Sequence, residues 1–230
     1  MPNWVYNTLT VDATANPEAG WQLREQLNKS YTLKHHTLTE NGFEQVEVTY
    51  SNPVLAFWNV KRPSEDVLDE YFGKEPLPKD PAKKSCHWYD WNIRNWDTKW
   101  DVGVPDGNEY PNTTLEVSED GHTFTYRFET AWSPALAIVQ MLADQYDCLD
   151  FTYHYEEEQG WGAEIEYTQG TICTMSEWDI PQSHSDEYDR KGHCSSCDSI
   201  GEEYDPENDW TYPDCPAVIA YNNKKMEVSK

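Results

Sequence analysis

The chain has 230 residues, a length that fits one domain with elaborations and is long enough to close a hydrophobic core. It carries 42 Asp and Glu against 17 Lys and Arg, a formal net charge of −25. Binding of a nucleic-acid backbone or an anionic membrane needs cationic side chains, so this balance argues against both. The charge instead predicts attraction to basic protein surfaces.

Hydropathy and the first residues indicate location. No apolar run approaches the roughly 20 residues that span a bilayer, and the start, Met1-Pro2-Asn3-Trp4, lacks the profile of a secretory signal. We therefore expect a cytosolic protein. In a reducing cytosol the 6 Cys are expected to be thiols or metal ligands rather than disulfides.

The predicted elements follow from patterns of apolar, β-branched and turn-forming residues. The first half predicts a strand over 3–12, a helix from Asn16-Pro17 to about residue 30, strands over 43–50 and 54–60, and a short helix capped by Ser64. The second half predicts a hairpin over 113–118 and 122–129, a helix that starts at Ser133-Pro134, and strands over 149–155 and 163–168.

This order of strands and helices predicts an α+β, ferredoxin-like split βαβ sandwich, with an antiparallel sheet and two helices on one face. The domain would occupy residues 1–170. Residues 61–121 would be a Trp-rich insertion between its halves, and residues 171–230 an acidic tail with a small Cys/His module.

Several short motifs occur together and in order: Met1-Pro2-Asn3-Trp4 with Asn7, Phe57-Trp58-Asn59, Trp88-Tyr89-Asp90-Trp91-Asn92, Thr130-Ala131-Trp132-Ser133-Pro134, and Glu158-Gln159-Gly160-Trp161-Gly162. The set resembles the YubB-like proteins, a family with a ferredoxin-like domain found on bacteriophages and conjugative plasmids. The resemblance covers roughly residues 1–170. It implies a ferredoxin-like fold and a mobile-element origin, hence the cytosol of a bacterial host, and it implies no catalytic residue.

The tryptophans of these motifs have two interpretations. Large rings next to Asn or Asp are typical of a packed core with a hydrogen-bonding side chain at a strand edge. Alternatively, Trp88, Trp91, Trp96 and Trp132 line a pocket in which a nucleotide-like ligand stacks, with cations such as Arg94, Lys99 or Arg127 inside it.

A candidate metal site lies near the end of the sequence. Cys194 and Cys197 have the two-residue spacing that lets two thiolates face one ion, and Cys215 supplies a third. His184 completes a Cys₃His set, and is preferred to His193, which adjoins Cys194. A structural zinc ion is predicted, because residues 176–215 have few aliphatic side chains with which to pack. Free cysteines or a Cys-x-x-Cys redox couple are the alternatives.

The acidic residues are unevenly distributed. Residues 1–100 contain 14 acidic and 11 basic side chains, whereas residues 101–230 contain 28 acidic and 6 basic ones. They either keep the protein soluble or form a surface that imitates a polyanion. If the surface binds a partner, the candidate contacts are the clustered Glu156, Glu157, Glu158, Glu202 and Glu203.

The sequence contains no phosphate-binding Gly-rich loop, His-Glu-x-x-His or Gly-x-Ser-x-Gly motif, so we expect no enzyme. The leading hypothesis is a phage or plasmid accessory protein that binds and inhibits a basic host protein or ribonucleoprotein, of the CRISPR-effector or restriction type, by a DNA-mimicking surface. The alternatives are a binding protein for a small, nucleotide-like ligand and a structural phage protein. The oligomeric state stays open.

Overall fold

The computed structural model describes residues 3–39, 42–73, 85–109, 111–200 and 211–228. The chain divides into two compact units, one of residues 1–158 and 162–178, the other of residues 159–161 and 179–230. The strands are β1 Trp4–Asp12, β2 Tyr31–Thr39, β3 Gly42–Tyr50, β4 Thr114–Val117, β5 Thr123–Ala131, β6 Asp150–Glu157, β7 Gly162–Thr168 and β8 Thr171–Trp178. The helices are α1 Pro17–Leu27, α2 Leu68–Tyr71, α3 Trp88–Trp96, α4 Leu136–Gln145, α5 His184–Lys191, α6 Ser195–Ser199 and α7 Pro216–Val228, and 3₁₀ turns span Phe57–Asn59 and Glu65–Val67.

The first unit is built on an antiparallel sheet with the strand order β4-β5-β1-β6-β7-β8. In its β4-β5-β1-β6 part, α1 follows β1 and α4 connects β5 to β6, which is the order of a split βαβ fold. The central strand, β1, pairs on both sides, with Val5 opposite Thr130 of β5 and Glu157 of β6. The predicted antiparallel sheet is therefore confirmed.

The identity of the second strand in that fold was predicted wrongly. Residues 43–50 do form a strand, but β3 pairs only with β2, in a separate two-stranded sheet, and residues 54–60 contain a 3₁₀ turn instead of a strand. The sheet position that they were expected to fill belongs to β4, at residues 114–117. The insertion between the two halves is thus the whole stretch 28–113, rather than residues 61–121.

The boundary of the first unit also differs from the expected one. Residues 171–178 form β8, which pairs with β7 and completes the sheet, so the second unit starts its main segment at residue 179. β8 lacks the alternation of apolar and polar residues that would have predicted it, and residues 171–177 are all exposed. Its sequence pattern therefore places this strand in the tail rather than in the sheet.

The two sides of the sheet differ in burial. Along β1, Val5, Asn7, Leu9 and Val11 are buried, whereas the residues between them lie on the other side and are more exposed. Both long helices of the unit cover the buried side. A Cβ atom at Gly20 of α1 would lie 2.9 Å from the ring of Phe124, and the N–H of Ala135, just before α4, donates to Tyr153 Oη at 3.0 Å. The opposite side, which we call the open face, has neither helix on it.

The start of α4 is capped differently from the prediction. Ser133 does not cap the helix, which begins at Leu136. Instead, Asp97 from the insertion accepts the Ala137 N–H at 2.8 Å, and Ser133 Oγ donates to the Asp97 carbonyl. The cap was missed because it comes from a residue distant in sequence.

The insertion is organised around one carboxylate. Asp101 accepts hydrogen bonds from four backbone N–H groups, those of Phe57, Trp58, Val102 and Gly103, at 2.7–3.2 Å. The first two belong to the 3₁₀ turn at residues 57–59, so the side chain fixes that turn against the loop after α3.

The second unit has a small core. Its buried hydrophobic residues are Cys194, Tyr212, Cys215 and Val218, and partly buried Cys197, Ile200 and Ala217 pack against them. Three of these seven are cysteines, so the described part of the unit has few apolar side chains in its core. Across all the residues that the structure describes, no helix is both long and apolar enough to cross a bilayer.

Candidate functional site

A cluster of metal-binding residue types lies inside the second unit. The side chains of His184, Cys194, Cys197 and Cys215 each bring one ligand atom within 4.8 Å of the others. Cys197 Sγ lies 3.3 Å from Cys215 Sγ and 3.7 Å from His184 Nδ1. The structure therefore brings together all four residues that the sequence predicted, although residues 201–210 between them are outside the described part.

Local structure places each ligand. His184 is the first residue of α5, which is capped by Ser183 through the Asp186 N–H, and the backbone N–H of His184 donates to the Asp214 carboxylate at 3.0 Å. Cys194 precedes α6, and Cys197 lies on its first turn. Cys215 precedes Pro216, the first residue of α7. The candidate metal ligands therefore lie at or near helix starts, where backbone N–H groups without a partner in the helix stabilise a negative charge.

The backbone favours a thiolate at Cys215. Burial opposes ionisation there, but the N–H groups of Val218 and Ala217 and the thiol of Cys197 donate to its sulfur and lower its pKa. The hydrogen bond to Cys215, followed by burial, raises the pKa of Cys197 to about 12. The thiolate, the form in which cysteine binds a metal, is therefore easier to reach at Cys215 than at an ordinary cysteine.

A buried carboxylate that is not itself a candidate ligand holds two of the ligand-bearing segments together. Glu187 of α5 is 6% exposed, and its Oε2 accepts both the Ser195 N–H at 2.9 Å and the Ser195 hydroxyl at 2.8 Å. It thereby ties the helix that carries His184 to the one between Cys194 and Cys197. Glu187 is not among the residues predicted from the sequence, where its only signal is its position four residues before Lys191 in an acidic stretch.

The arrangement fits a tetrahedral ion. In such a site, metal–sulfur distances of about 2.3 Å place neighbouring ligand atoms about 3.8 Å apart. The observed separations of 3.3 and 3.7 Å are close to this value and need only small shifts on binding. With four protein ligands the ion would have no open position, so the site suits a structural role.

The open face of the first unit is strongly acidic. Cross-strand register places seven carboxylates on it: Asp12, Glu116, Glu129, Asp150, Glu156, Glu164 and Glu166. Among the strand residues that the structure describes, the basic side chains on this face are Arg127, which pairs with Glu116 at 3.0 Å, and His154, 3.6 Å from Glu164. Seven carboxylates against one arginine and one histidine give the described strands of this face an excess of negative charge.

Of the five predicted contact acids, two remain on an accessible surface. Glu156 is on the open face, and Glu158, just after β6, is exposed. Glu157 was a wrong choice: alternation along β6 turns it to the buried side, where it is 2% exposed. Glu202 and Glu203 lie outside the described residues.

The structure does not form the predicted four-tryptophan pocket. Trp91 and Trp96 are 7% and 1% exposed and pack edge-to-face at 5.5 Å, in the core of the insertion. Trp88 contacts Tyr89 at the start of α3. Trp132 is 43% exposed, with its ring 6.4 Å from that of Tyr89 and beside Lys99. The core-packing interpretation therefore holds for Trp91 and Trp96 but not for Trp132.

Fold and site together define an α+β protein with a ferredoxin-like domain and an appended unit built on a cluster that can hold a metal ion. Residues 112–195, from just before β4 to the first residue of α6, match a family model described as a ferredoxin-like domain in Api92-like protein. The predicted ferredoxin-like domain is thus confirmed, while the YubB-like name and the mobile-element origin stay predictions.

A solved structure is also similar, that of protein api92 from Yersinia pseudotuberculosis. The two share 9% sequence identity with a TM-score of 0.44, over 78% of this chain and 99% of that one. None of the curated proteins matches the chain in sequence.

Proposed function

We propose that this protein works by binding, through the acidic open face of its six-stranded sheet, a partner protein with a basic surface. The observation that carries the proposal is the excess of carboxylates on a sheet face that neither helix of the fold covers. Seven carboxylates against two basic side chains, spread over five adjacent strands, favour an electrostatic role for this face.

The partner that fits best is a protein or ribonucleoprotein that itself handles nucleic acid. Such proteins have surfaces that attract rows of phosphates, and a row of carboxylates on a rigid sheet competes for the same cations. Binding there would inhibit the partner. A bacterial defence complex of the CRISPR-effector or restriction type is the proposed target, in keeping with the phage or plasmid resemblance and with a cytosolic location.

We further propose that the ion in the second unit is zinc and that its role is structural. Three thiolates and one imidazole form a donor set that zinc prefers. The unit has little else in its core, so the free energy of metal binding would supply much of its folding free energy.

The binding proposal is tested by charge reversal with a matched control. In the test variant, Glu156, Glu164 and Glu166 are changed to Lys. In the control, Glu25, Glu65 and Asp66, which are exposed but lie outside the sheet, are changed to Lys, so that net charge changes equally. Each tagged protein is used to capture proteins from nuclease-treated bacterial lysate, with elution by rising salt.

We expect the wild type and the control to retain the same basic protein and the test variant to lose it. If the test variant and the control behave alike, the open face is not the contact surface and the proposal fails. A captured complex is then assayed for nuclease activity with and without the protein, and unchanged activity would rule out inhibition.

A further inference from the structure

Three exposed aromatic rings surround one lysine at the end of the sheet. Lys99 Nζ lies 4.2 Å from the ring centroid of Trp100, 4.6 Å from that of Trp132 and 5.8 Å from that of Tyr89. The three rings are 39%, 43% and 36% exposed. We call Tyr89, Trp100 and Trp132 the aromatic cage. Large rings are seldom left exposed side by side unless they bind something.

The cage is held in place by buried polar contacts. Thr98, fully buried, donates its hydroxyl to the Ala131 carbonyl at 3.1 Å, and these two residues directly precede Lys99 and Trp132. Trp132 N–H donates to the Asn3 carbonyl at 2.8 Å. The rings are therefore presented by a rigid framework, which lowers the entropy cost of binding.

The backbone of Trp132 is strained. Its φ angle is +70°, a conformation that a bulky aromatic residue rarely adopts and that glycine or asparagine would adopt at less cost. Because the Trp132 ring is exposed, its packing in a core does not explain why such a residue is found there. Strain of this kind is typical of binding sites.

The cage adjoins the acidic open face. Trp100 packs at a tilt of 35° against Trp4, the first residue of β1, with ring centroids 6.0 Å apart. Tyr6, two residues after Trp4 in β1, lies between Glu129 of β5 and Glu156 of β6 in the cross-strand register. The Glu158 N–H donates to the Trp4 carbonyl at 3.1 Å, so a further exposed acid is next to the cage.

We propose that the aromatic cage is the site where a cationic side chain of the basic partner, an arginine above all, is bound, and that Lys99 occupies the cage until the partner displaces it. The inference rests on the proposed function, since it specifies the anchoring contact of the same acidic surface. Rings attract a cation over their faces, and arginine is preferred because its flat guanidinium stacks on them.

The acidic surroundings decide between a cation and an anionic ligand. A nucleotide could stack on Trp100 with its phosphate at Lys99, but Glu129, Glu156 and Glu158 near the cage would repel it. They would attract an arginine. We therefore do not expect a nucleotide to bind in the cage, and the experiment below tests this directly.

The test measures binding of a fluorescein-labelled oligoarginine peptide by fluorescence anisotropy at several salt concentrations. Trp100→Ala and Trp132→Gly each remove a ring of the cage. The matched control is Trp21→Ala, because Trp21 is 44% exposed and also has its own cation, Arg24, 5.0 Å from its ring, but it belongs to α1 and not to the cage. Lys99→Ala empties the cage, and AMP serves as the anionic probe.

We expect loss of either cage ring to weaken peptide binding by about 3- to 30-fold, the Trp21 variant to bind like the wild type, and Lys99→Ala to bind more tightly. Trp132→Gly should melt no lower than the wild type, because glycine relieves the strained φ, so its weaker binding cannot come from unfolding.

Equal binding by the cage variants and the Trp21 variant would overturn the inference. So would weaker peptide binding by Lys99→Ala, or AMP binding that depends on Lys99. The triple reversal of Glu156, Glu164 and Glu166, measured in parallel with its off-sheet control, reports on the proposed function separately. If that reversal abolishes binding while the cage variants do not, the acidic face stands and the cage alone is excluded.

Discussion

The Tyr153 hydroxyl donates a 2.6 Å hydrogen bond to Asn7 Oδ1, between the two strands at the centre of the buried side of the sheet. The same hydroxyl accepts the Ala135 N–H at 3.0 Å. The Asn7 amide donates in turn to Val5, Phe128 and Thr130 at 2.7–3.2 Å. This network joins β1, β5, β6 and the start of α4, and it gives Asn7, a member of the amino-terminal motif, a structural role.

Tyr153→Phe should destabilise the first unit by about 2–4 kcal/mol, because it leaves the Asn7 oxygen and the Ala135 N–H buried without a partner. Chemical denaturation followed by circular dichroism measures the change. Tyr188→Phe is the control, since Tyr188 is 52% exposed and should change stability little. A Tyr153→Phe protein as stable as the wild type would show that the network does not contribute.

Asp101→Asn should destabilise the insertion by about 2–4 kcal/mol. The substitution keeps the shape of the side chain but replaces a carboxylate, which accepts hydrogen bonds from several backbone N–H groups, by a neutral amide. The NH₂ group of that amide cannot accept a hydrogen bond and would point at one of those N–H groups. Differential scanning calorimetry and hydrogen exchange at residues 57–59 measure the effect. Asp106→Asn, at an exposed carboxylate bonded to Ser51, is the control. Unchanged exchange at the 3₁₀ turn in Asp101→Asn would contradict this account.

Cys197→Ser, or removal of metal by a chelator, should unfold the second unit and leave the first intact. The reason is that three of the four metal ligands belong to the small core of the second unit. Limited proteolysis should then cleave after residue 178, and elemental analysis should find one zinc per wild-type chain and less in the variant. Cys173→Ser, in exposed β8, should keep both the metal and the protease resistance. A metal-free wild type with a protease-resistant second unit would refute the zinc proposal.

The folded protein should lose stability as the pH rises above 10. Burial, followed by the charge of Asp101, raises the pKa of Tyr50 from 10.0 to about 12, and burial also raises that of Tyr167 to about 12. A group whose pKa is raised by folding contributes its full stabilisation below the unfolded value and loses it as the pH passes toward the folded value. The window of loss is therefore pH 10 to 12.

Tyrosinate absorbance and circular dichroism, recorded together during an alkaline titration, test this expectation. The buried tyrosines should ionise only as the structure is lost. Ionisation of every tyrosine near pH 10, with the circular dichroism unchanged, would contradict it.

Sequence patterns predicted those elements whose partners are near in the chain or whose signals are local. Asn16 and Pro17 start α1 as expected, and the hairpin of β4 and β5 follows from its short turn. The metal ligands were predicted because their residue types and spacing carry the chemistry. The alternation of side chains along β6 also predicts that Glu157, unlike its neighbour Glu156, points to the buried side of the sheet.

Other features depend on contacts that no local pattern contains. β3 has a good strand pattern, but its place in a separate hairpin depends on β2, whose residues carry a weaker one. The cap of α4 comes from Asp97, some forty residues away in sequence. The predicted pocket contains Trp132 and Lys99 of the aromatic cage but not Tyr89 and Trp100, because contacts such as that of the Thr98 hydroxyl with the Ala131 carbonyl join residues distant in sequence.

The position of β1 at the centre of the sheet has a consequence for synthesis of the chain. Its first neighbour in the ladder, β5, begins at residue 123, so β1 leaves the ribosome more than 100 residues before it can pair. At 5–20 residues per second, this delay is about 5–20 s. During that time both edges of an apolar strand are open to other chains, and we expect the nascent protein to depend on chaperones more than a helical protein of its length does.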